Sequence, residues 1–316
     1  MLAFLLACLV GLILLARASD ALVSGSSALA ARLGVPTLVV GVVIIGFGTS
    51  SPELLVSGLA AAGNSPAIGV GTVIGSNIAN LSLVLGVGAL VAPLAVRAAV
   101  VRREAPLSLL ATVVFAVAVR DGLTRPWGLV LLVLLGVSLG LLVRWALADR
   151  AEAGNGSRAL REEVTGVIET GETRRMAVVV GQALGGLVGT MVGAQVLVWG
   201  AVGVAREASL PEGFIGATIV AIGTSLPELV TAAQAARRGD LLGSNLFNAL
   251  AVGGLIAVVG GGAAVGGGLR GVGVFVMLAV SALALLFMGR DFKVVRWEAA
   301  ALLVVYLVTL PLLSLG

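Results

Sequence analysis

The chain has 316 residues, of which 59% are hydrophobic and only 11% charged, and its mean hydropathy is +1.14. A soluble domain carries about a quarter charged residues, so composition excludes one and leaves a chain embedded in a membrane. The net charge of +4 does not imply nucleic acid as a partner, because the Arg residues lie in short stretches between apolar runs, where positive-inside asymmetry places them. The absence of His removes His-ligated zinc and Ser-His catalysis, and the single Cys8 removes an internal disulfide.

Apolar runs near the length of a spanning helix follow one another along the chain. They predict helices at roughly 3–31, 36–59, 67–91, 105–119 and 128–148, then 176–204, 214–236, 241–260, 271–288 and 297–315. The fold class is therefore an all-α membrane protein of about ten transmembrane helices. Met1–Leu15 followed by Ala16-Arg17-Ala18 resembles a signal peptide, yet no Lys or Arg precedes the apolar run, so the segment is expected to stay as the first span. Arg17 and Asp20, three apart in that span, are expected to pair. The mixed-charge stretch 149–175 reads as a solvated linker between a first half, 1–148, and a second, 176–316. With the N-terminus on one side, loops on the opposite side hold fifteen Arg and Lys residues, among them Arg97, Arg102, Arg103, Arg174, Arg175 and Arg290. Loops on the N-terminal side hold four: Arg120, Arg125, Arg206 and Arg270. The rich side is cytoplasmic, so both termini are expected outside and the linker inside.

The two halves are copies. GFGTSSPELLVSG at 46–58 returns as AIGTSLPELVTAA at 221–233, an offset of 175 that also pairs Gly25 with Gly200 and Pro36 with Pro211. IGSNIAN at 74–80 returns as LGSNLFN at 242–248, an offset of 168, so the second copy lacks seven residues. Five spans per copy is an odd number, so the copies enter the membrane from opposite sides. Inverted five-helix repeats are a frequent architecture of secondary transporters, with the site at the midplane. The shortened connection between the second copy's motifs predicts Arg238–Leu242 extended or re-entrant, with Ser244 near the start of a truncated helix.

Two carboxylates lie deep in apolar spans, Glu53 and Glu228, at equivalent positions of the copies. A charge at the bilayer centre costs about 2.5–3.5 kcal/mol on insertion scales, and neither span offers a Lys or Arg partner. Ser50-x-x-Glu53 and Ser225-x-x-Glu228 fit a capping box, which accounts for a helix start but not for an acid at that depth. Pro52 and Pro227 cannot donate to the carbonyls of Gly48 and Gly223, so each helix is expected to break beside its acid. Ser76 with Asn80, and Ser244 with Asn248, share a helix face four residues apart. With Thr49, Ser50, Thr224 and Ser225 the donor set is all oxygen, which suits hard cations such as Ca2+ and Na+. Two Glu charges match one Ca2+; the same oxygens could take Na+ or, on Glu, protons. Mutually exclusive occupancy is what exchange requires. No serine has a base beside it, so an enzyme is not expected.

GTSSPE with GSNIAN, and GTSLPE with GSNLFN, resemble the two alpha-repeats of the cation/Ca2+ antiporter superfamily, in its Na+/Ca2+ exchanger branch. The resemblance spans both halves. It implies that Glu53 and Glu228 ligate Ca2+ directly. It also implies that Thr49, Ser50, Ser76, Asn80, Thr224, Ser225, Ser244 and Asn248 bind Ca2+ or Na+. Asn248 stands where K+-dependent members carry Asp, which implies a K+-independent carrier; Gly-Thr-Ser in place of Gly-Asn argues for Na+ over H+. The expected function is secondary antiport of Ca2+ against Na+ or H+ by alternating access in a bacterial plasma membrane. No cofactor beyond the transported ions is expected, and the partners are Ca2+, Na+ and the lipid bilayer. The rivals are a cation channel using the same acids and a transport-impaired exchanger homologue serving as a membrane scaffold.

Overall fold

The structure, a computed structural model, describes residues 1–33, 50–153, 175–225, 228–229, 240–262 and 266–314. The described residues are almost entirely helical, as lipid demands of a backbone that cannot hydrogen-bond to water. In chain order they form α1 (Leu2–Arg32), α2 (Ser51–Ala62), α3 (Pro66–Val91), α4 (Ala105–Arg120), α5 (Arg125–Ala153), α6 (Met176–Glu207) and α7 (Glu212–Thr224). Then come α8 (Asp240–Phe247, running on through Asn248–Val252 and Gly253–Gly260), α9 (Leu269–Asp291) and α10 (Arg296–Ser314). Seven of the described helices are long and apolar enough to cross a membrane: α1, α3, α5, α6, α8, α9 and α10. The spans expected at 36–59 and 214–236 fall partly outside the described residues, which hold α2 and α7 as their remaining parts.

Helix α5 continues to Ala153, past the expected boundary of the linker at 149. Its end, Ala-Leu-Ala-Asp-Arg-Ala-Glu-Ala, is built from strong helix formers that hold the helix beyond the apolar stretch. Residues 154–174 of the expected linker lie outside the described residues.

α1 and α6 pack against each other along their whole length. Residues meet in reverse order: Gly11 at Leu197, Leu15 at Gly193, Leu22 at Gly186 and Gly25 at Ala183, so the helices run antiparallel. The amino group of Met1 accordingly pairs with the Glu207 carboxylate at the far end of α6. The close approach depends on glycine. A Cβ on Gly11 would stand 2.7 Å from the Leu197 nitrogen, and one on Gly193 2.7 Å from that of Leu15. In lipid, where burial of apolar surface gives no net drive, such backbone proximity supplies the van der Waals contact that holds helices together. The outer face of α1 (Leu2, Leu6, Leu9, Ile13) stays exposed, as a lipid-facing surface would. Arg17 and Asp20 are also exposed and make no ion pair with each other, contrary to expectation; at a surface, a long Arg side chain gains little by staying fixed on a neighbouring carboxylate.

The other helices enclose a second core. α3 lies near its centre and is almost wholly buried. α8 packs against α5 and α3, and α10 against the second half of α3. A short antiparallel ribbon, Leu94–Ala95 with Lys293–Val294, ties the loop after α3 to the loop before α10.

Within α3 and α8 the helix widens. α3 contains a π-helical turn at Asn80–Val84, and α8 contains one at Asn248–Val252. The two turns are 168 residues apart, the offset of the second sequence block. Each begins on the asparagine that ends its block, Asn80 of GSNIAN and Asn248 of GSNLFN, and wide turns of this kind concentrate at functional sites.

Candidate ion site

Near each acid a serine borders a described helix. Ser50 sits just before α2 with φ −93° and ψ 7°, and Ser225 ends α7 with φ −87° and ψ 7°. The near-identity of these angles at positions 175 apart shows the same local geometry in both copies. Pro52 falls in the first turn of α2, where its missing N–H is no loss. Leu226 and Pro227 lie outside the described residues, as do Thr49, Gly48 and Pro36. The capping box is not formed in α2: the Ser50 hydroxyl makes no cap hydrogen bond, although the backbone N–H of Leu54 does reach the Ser50 carbonyl at 3.1 Å. The Ser50 side chain is thereby left for another partner.

The two halves meet at these acids. Glu53 and Glu228 are 1% and 4% exposed, and the Glu53 carboxyl lies within the field of Glu228. The hydroxyls of Thr224 and Ser225, from the second half, lie against that same carboxyl from the first. Thr224 Oγ1 also lies 3.3 Å from the Ala221 carbonyl, to which it can donate. Among the described residues, Glu228 is the only charged group acting on Glu53.

α3 and α8 contribute amides. Asn80 Nδ2 donates to Asn245 Oδ1 at 3.0 Å, and Asn245 Nδ2 donates to the Asn77 carbonyl at 3.0 Å. Asn77 and Asn245 were passed over in the sequence, because they lie off the face shared by Ser76 with Asn80 and by Ser244 with Asn248. The available signal was their identity in both copies of the GSN block, 168 residues apart.

Buried polar atoms without a hydrogen-bond partner are rare in folded proteins. Among the described residues several fall on residues chosen from the sequence (Ser50 Oγ, Glu53 Oε2, Ser76 Oγ, Asn80 Oδ1, Ser225 Oγ and both amide atoms of Asn248), while Ser19 Oγ, Ser27 Oγ, Asn77 Oδ1, Arg270 Nε and the Tyr306 hydroxyl are others. Ser244 is buried on α8, five residues into the described part of that helix. Residues 240–242, expected to be extended or re-entrant, are helical rather than extended; Leu241 and Leu242 are buried, and buried apolar residues keep their backbone groups paired within the helix. Arg238 and Gly239 lie outside the described residues.

The profile of the sodium/calcium exchanger protein family matches residues 3–144 and 178–315, one segment for each half. The chain belongs to the sodium/calcium exchanger family. This exchanger-family chain is 37% identical over 259 residues to the inner membrane protein YrbG of Escherichia coli, covering 79% of this chain and 78% of that one. It is 34% identical over 313 residues to the putative antiporter CaxA of Alkalimonas amylolytica, covering 95% of each. Among solved structures it resembles the sodium-calcium exchanger NCX_Mj, soaked with Na+ and Sr2+, with a TM-score of 0.61, 29% identity and 98% of each chain covered. The chain is thus a multi-pass membrane protein of an antiporter family.

Proposed function

We propose that the chain exchanges Ca2+ for Na+ across the membrane, with both ions competing for one site between α2, α3, α7 and α8. The observation that carries this reading is the pair of buried carboxyls, one from each half, set among oxygen atoms that lack donors. Two like charges in a medium of low dielectric repel strongly, and a divalent cation removes that repulsion while giving each orphaned oxygen a partner. Glu53 and Glu228 balance the charge of Ca2+, and Thr224, Ser225, Ser50, Ser76, Ser244, Asn80, Asn248 and Thr49 complete an all-oxygen shell for Ca2+ or for several Na+. Neutral Asn at 80 and 248 supports transport without K+.

The architecture offered for this is two inverted five-helix repeats. Support comes from the antiparallel α1–α6 pair, whose bounds correspond at the offset of 175, and from the matching backbone angles of Ser50 and Ser225 and the matching π-helical turns. The α1–α6 pair packs along its full length and touches the remaining helices less extensively, which suits it to slide as a unit and expose the site to one side at a time. The test is Ca2+ uptake into proteoliposomes under imposed gradients. Uptake is expected with Na+ inside and none outside, and it should collapse when the Na+ gradient is removed. Uptake driven equally by a pH gradient would make H+ the counter-ion, and uptake without any counter-gradient would make the protein a channel.

A further inference from the structure

The amide of an asparagine is ambiguous until its neighbours say which end is oxygen. In the cluster between α3 and α8 a backbone carbonyl settles the matter. The Asn77 carbonyl can only accept, so the atom of Asn245 at 3.0 Å from it must be Nδ2. Its Oδ1 then faces Asn80, and the atom of Asn80 at 3.0 Å must in turn be Nδ2. Asn80 Oδ1 therefore points away from this chain of bonds, and it is buried with no partner. Ser76, one helical turn before Asn80 on the same face, likewise holds an Oγ with no partner.

The second half does not repeat the arrangement. Both amide atoms of Asn248 lack a hydrogen bond, Asn77 Oδ1 lacks one too, and Asn77 Nδ2 reaches only the sulfur of Met277 at 3.7 Å. Asn80 is held and Asn248 is not.

We infer that Asn245 is a positioning residue of the ion site: by accepting from Asn80 while anchored to the Asn77 carbonyl, it commits Asn80 to present a carbonyl oxygen to the ion. Asn248, with no such anchor, can turn either end of its amide inward. The two halves therefore contribute unequally, a fixed oxygen on one side and an adaptable amide on the other. The inference rests on the proposed site at Glu53 and Glu228.

The experiment is Na+-driven Ca2+ uptake in proteoliposomes by Asn80→Ala, Asn245→Leu and the double variant, with KM and maximal rate measured separately. Leu is close to Asn in size, so it fills the space and removes both hydrogen bonds. Losing the orienting bond should raise the Ca2+ KM of Asn245→Leu about tenfold. Asn245 acts through Asn80, so the double variant should be no worse than Asn80→Ala alone. A wild-type KM in Asn245→Leu, or effects of the two substitutions that multiply, would overturn the inference. Size-exclusion profiles and melting curves accompany each variant, with Asn245→Ala as a second substitution. If neither Asn245 variant folds, the residue is structural and the inference fails. Glu53→Gln measured alongside separates the two readings: normal exchange by that variant removes the site itself. A dead Glu53→Gln beside an unaffected Asn245→Leu removes only the positioning role.

Discussion

At the scale of the residue, two buried carboxyls that repel each other destabilise the fold unless something compensates. In the proposed function the transported cation is that compensation, so each acid should matter more to ion binding than to folding. Glu53→Gln or Glu228→Gln keeps the shape and removes one anion from a site of low dielectric. Each is expected to weaken Ca2+ binding by about 100-fold or more, close to 3 kcal/mol, and to abolish Ca2+ flux while the melting temperature without Ca2+ holds or rises. Isothermal titration and melting curves check both halves of this expectation, and undiminished flux in either variant would contradict it. Neutral Asn80 and Asn248 lead to a second expectation: exchange in a defined buffer should proceed at full rate without K+. A strict K+ requirement would show that a further charge is missing from the site described. The acids, hydroxyls and paired asparagines of the proposed site can be picked out in the sequence because they recur at fixed offsets in otherwise apolar segments. Asn77 and Asn245 recur as well, but helical spacing alone turned attention to the other face. Only their contacts across α3 and α8 reveal a role.

At the scale of the element, the α1–α6 pair depends on backbones that nearly touch. A Cβ on Gly193 would meet the Leu15 nitrogen at 2.7 Å, whereas one on Gly185, on the same helix, would meet nothing within 4 Å. Gly193→Val should therefore lower stability by about 1–3 kcal/mol through overpacking and slow exchange by separating the helices. Gly185→Ala should be neutral, or stabilising by up to about 1 kcal/mol through helix propensity. Melting curves in detergent with parallel uptake rates distinguish them; equal behaviour of the two would rule out close packing as the basis of the pair. The length of α1 and α6 could be read from their apolar runs. The wide turns at Asn80–Val84 and Asn248–Val252 could not, since a π-helical turn leaves no mark in a hydrophobic pattern. The seven-residue difference between the copies invited an extended segment up to Leu242, but α8 is already helical from Asp240. Chain reach alone allows an extended connection there, while the cost of an unpaired backbone in lipid decides the conformation of the buried leucines.

At the scale of the whole molecule, the excess of Arg and Lys in alternate loops leads to the proposal that both termini lie outside and residues 149–175 inside. Cys8 is the single cysteine and is buried, so thiol labelling can report sidedness. In a Cys8→Ala background, Gly316→Cys should react with an impermeant reagent in intact cells, and Ser157→Cys only after permeabilisation. The reverse pattern would invert the proposed orientation.

The sequence by itself determined the class, the family resemblance and the doubled motif, because composition and repetition are properties of the chain read in order. A 59% apolar chain has few places for a carboxylate, so two acids at equivalent positions stand out before any folding is known. Tertiary structure alone decided what those residues do to one another. Thr224 and Ser225 reach the Glu53 carboxyl across the two halves, and the Asn77 carbonyl fixes two amides in succession. A hydrogen bond depends on distance and direction between groups 165 and 168 residues apart. Such geometry exists only once antiparallel helices have closed on each other, and no local pattern in the chain encodes it.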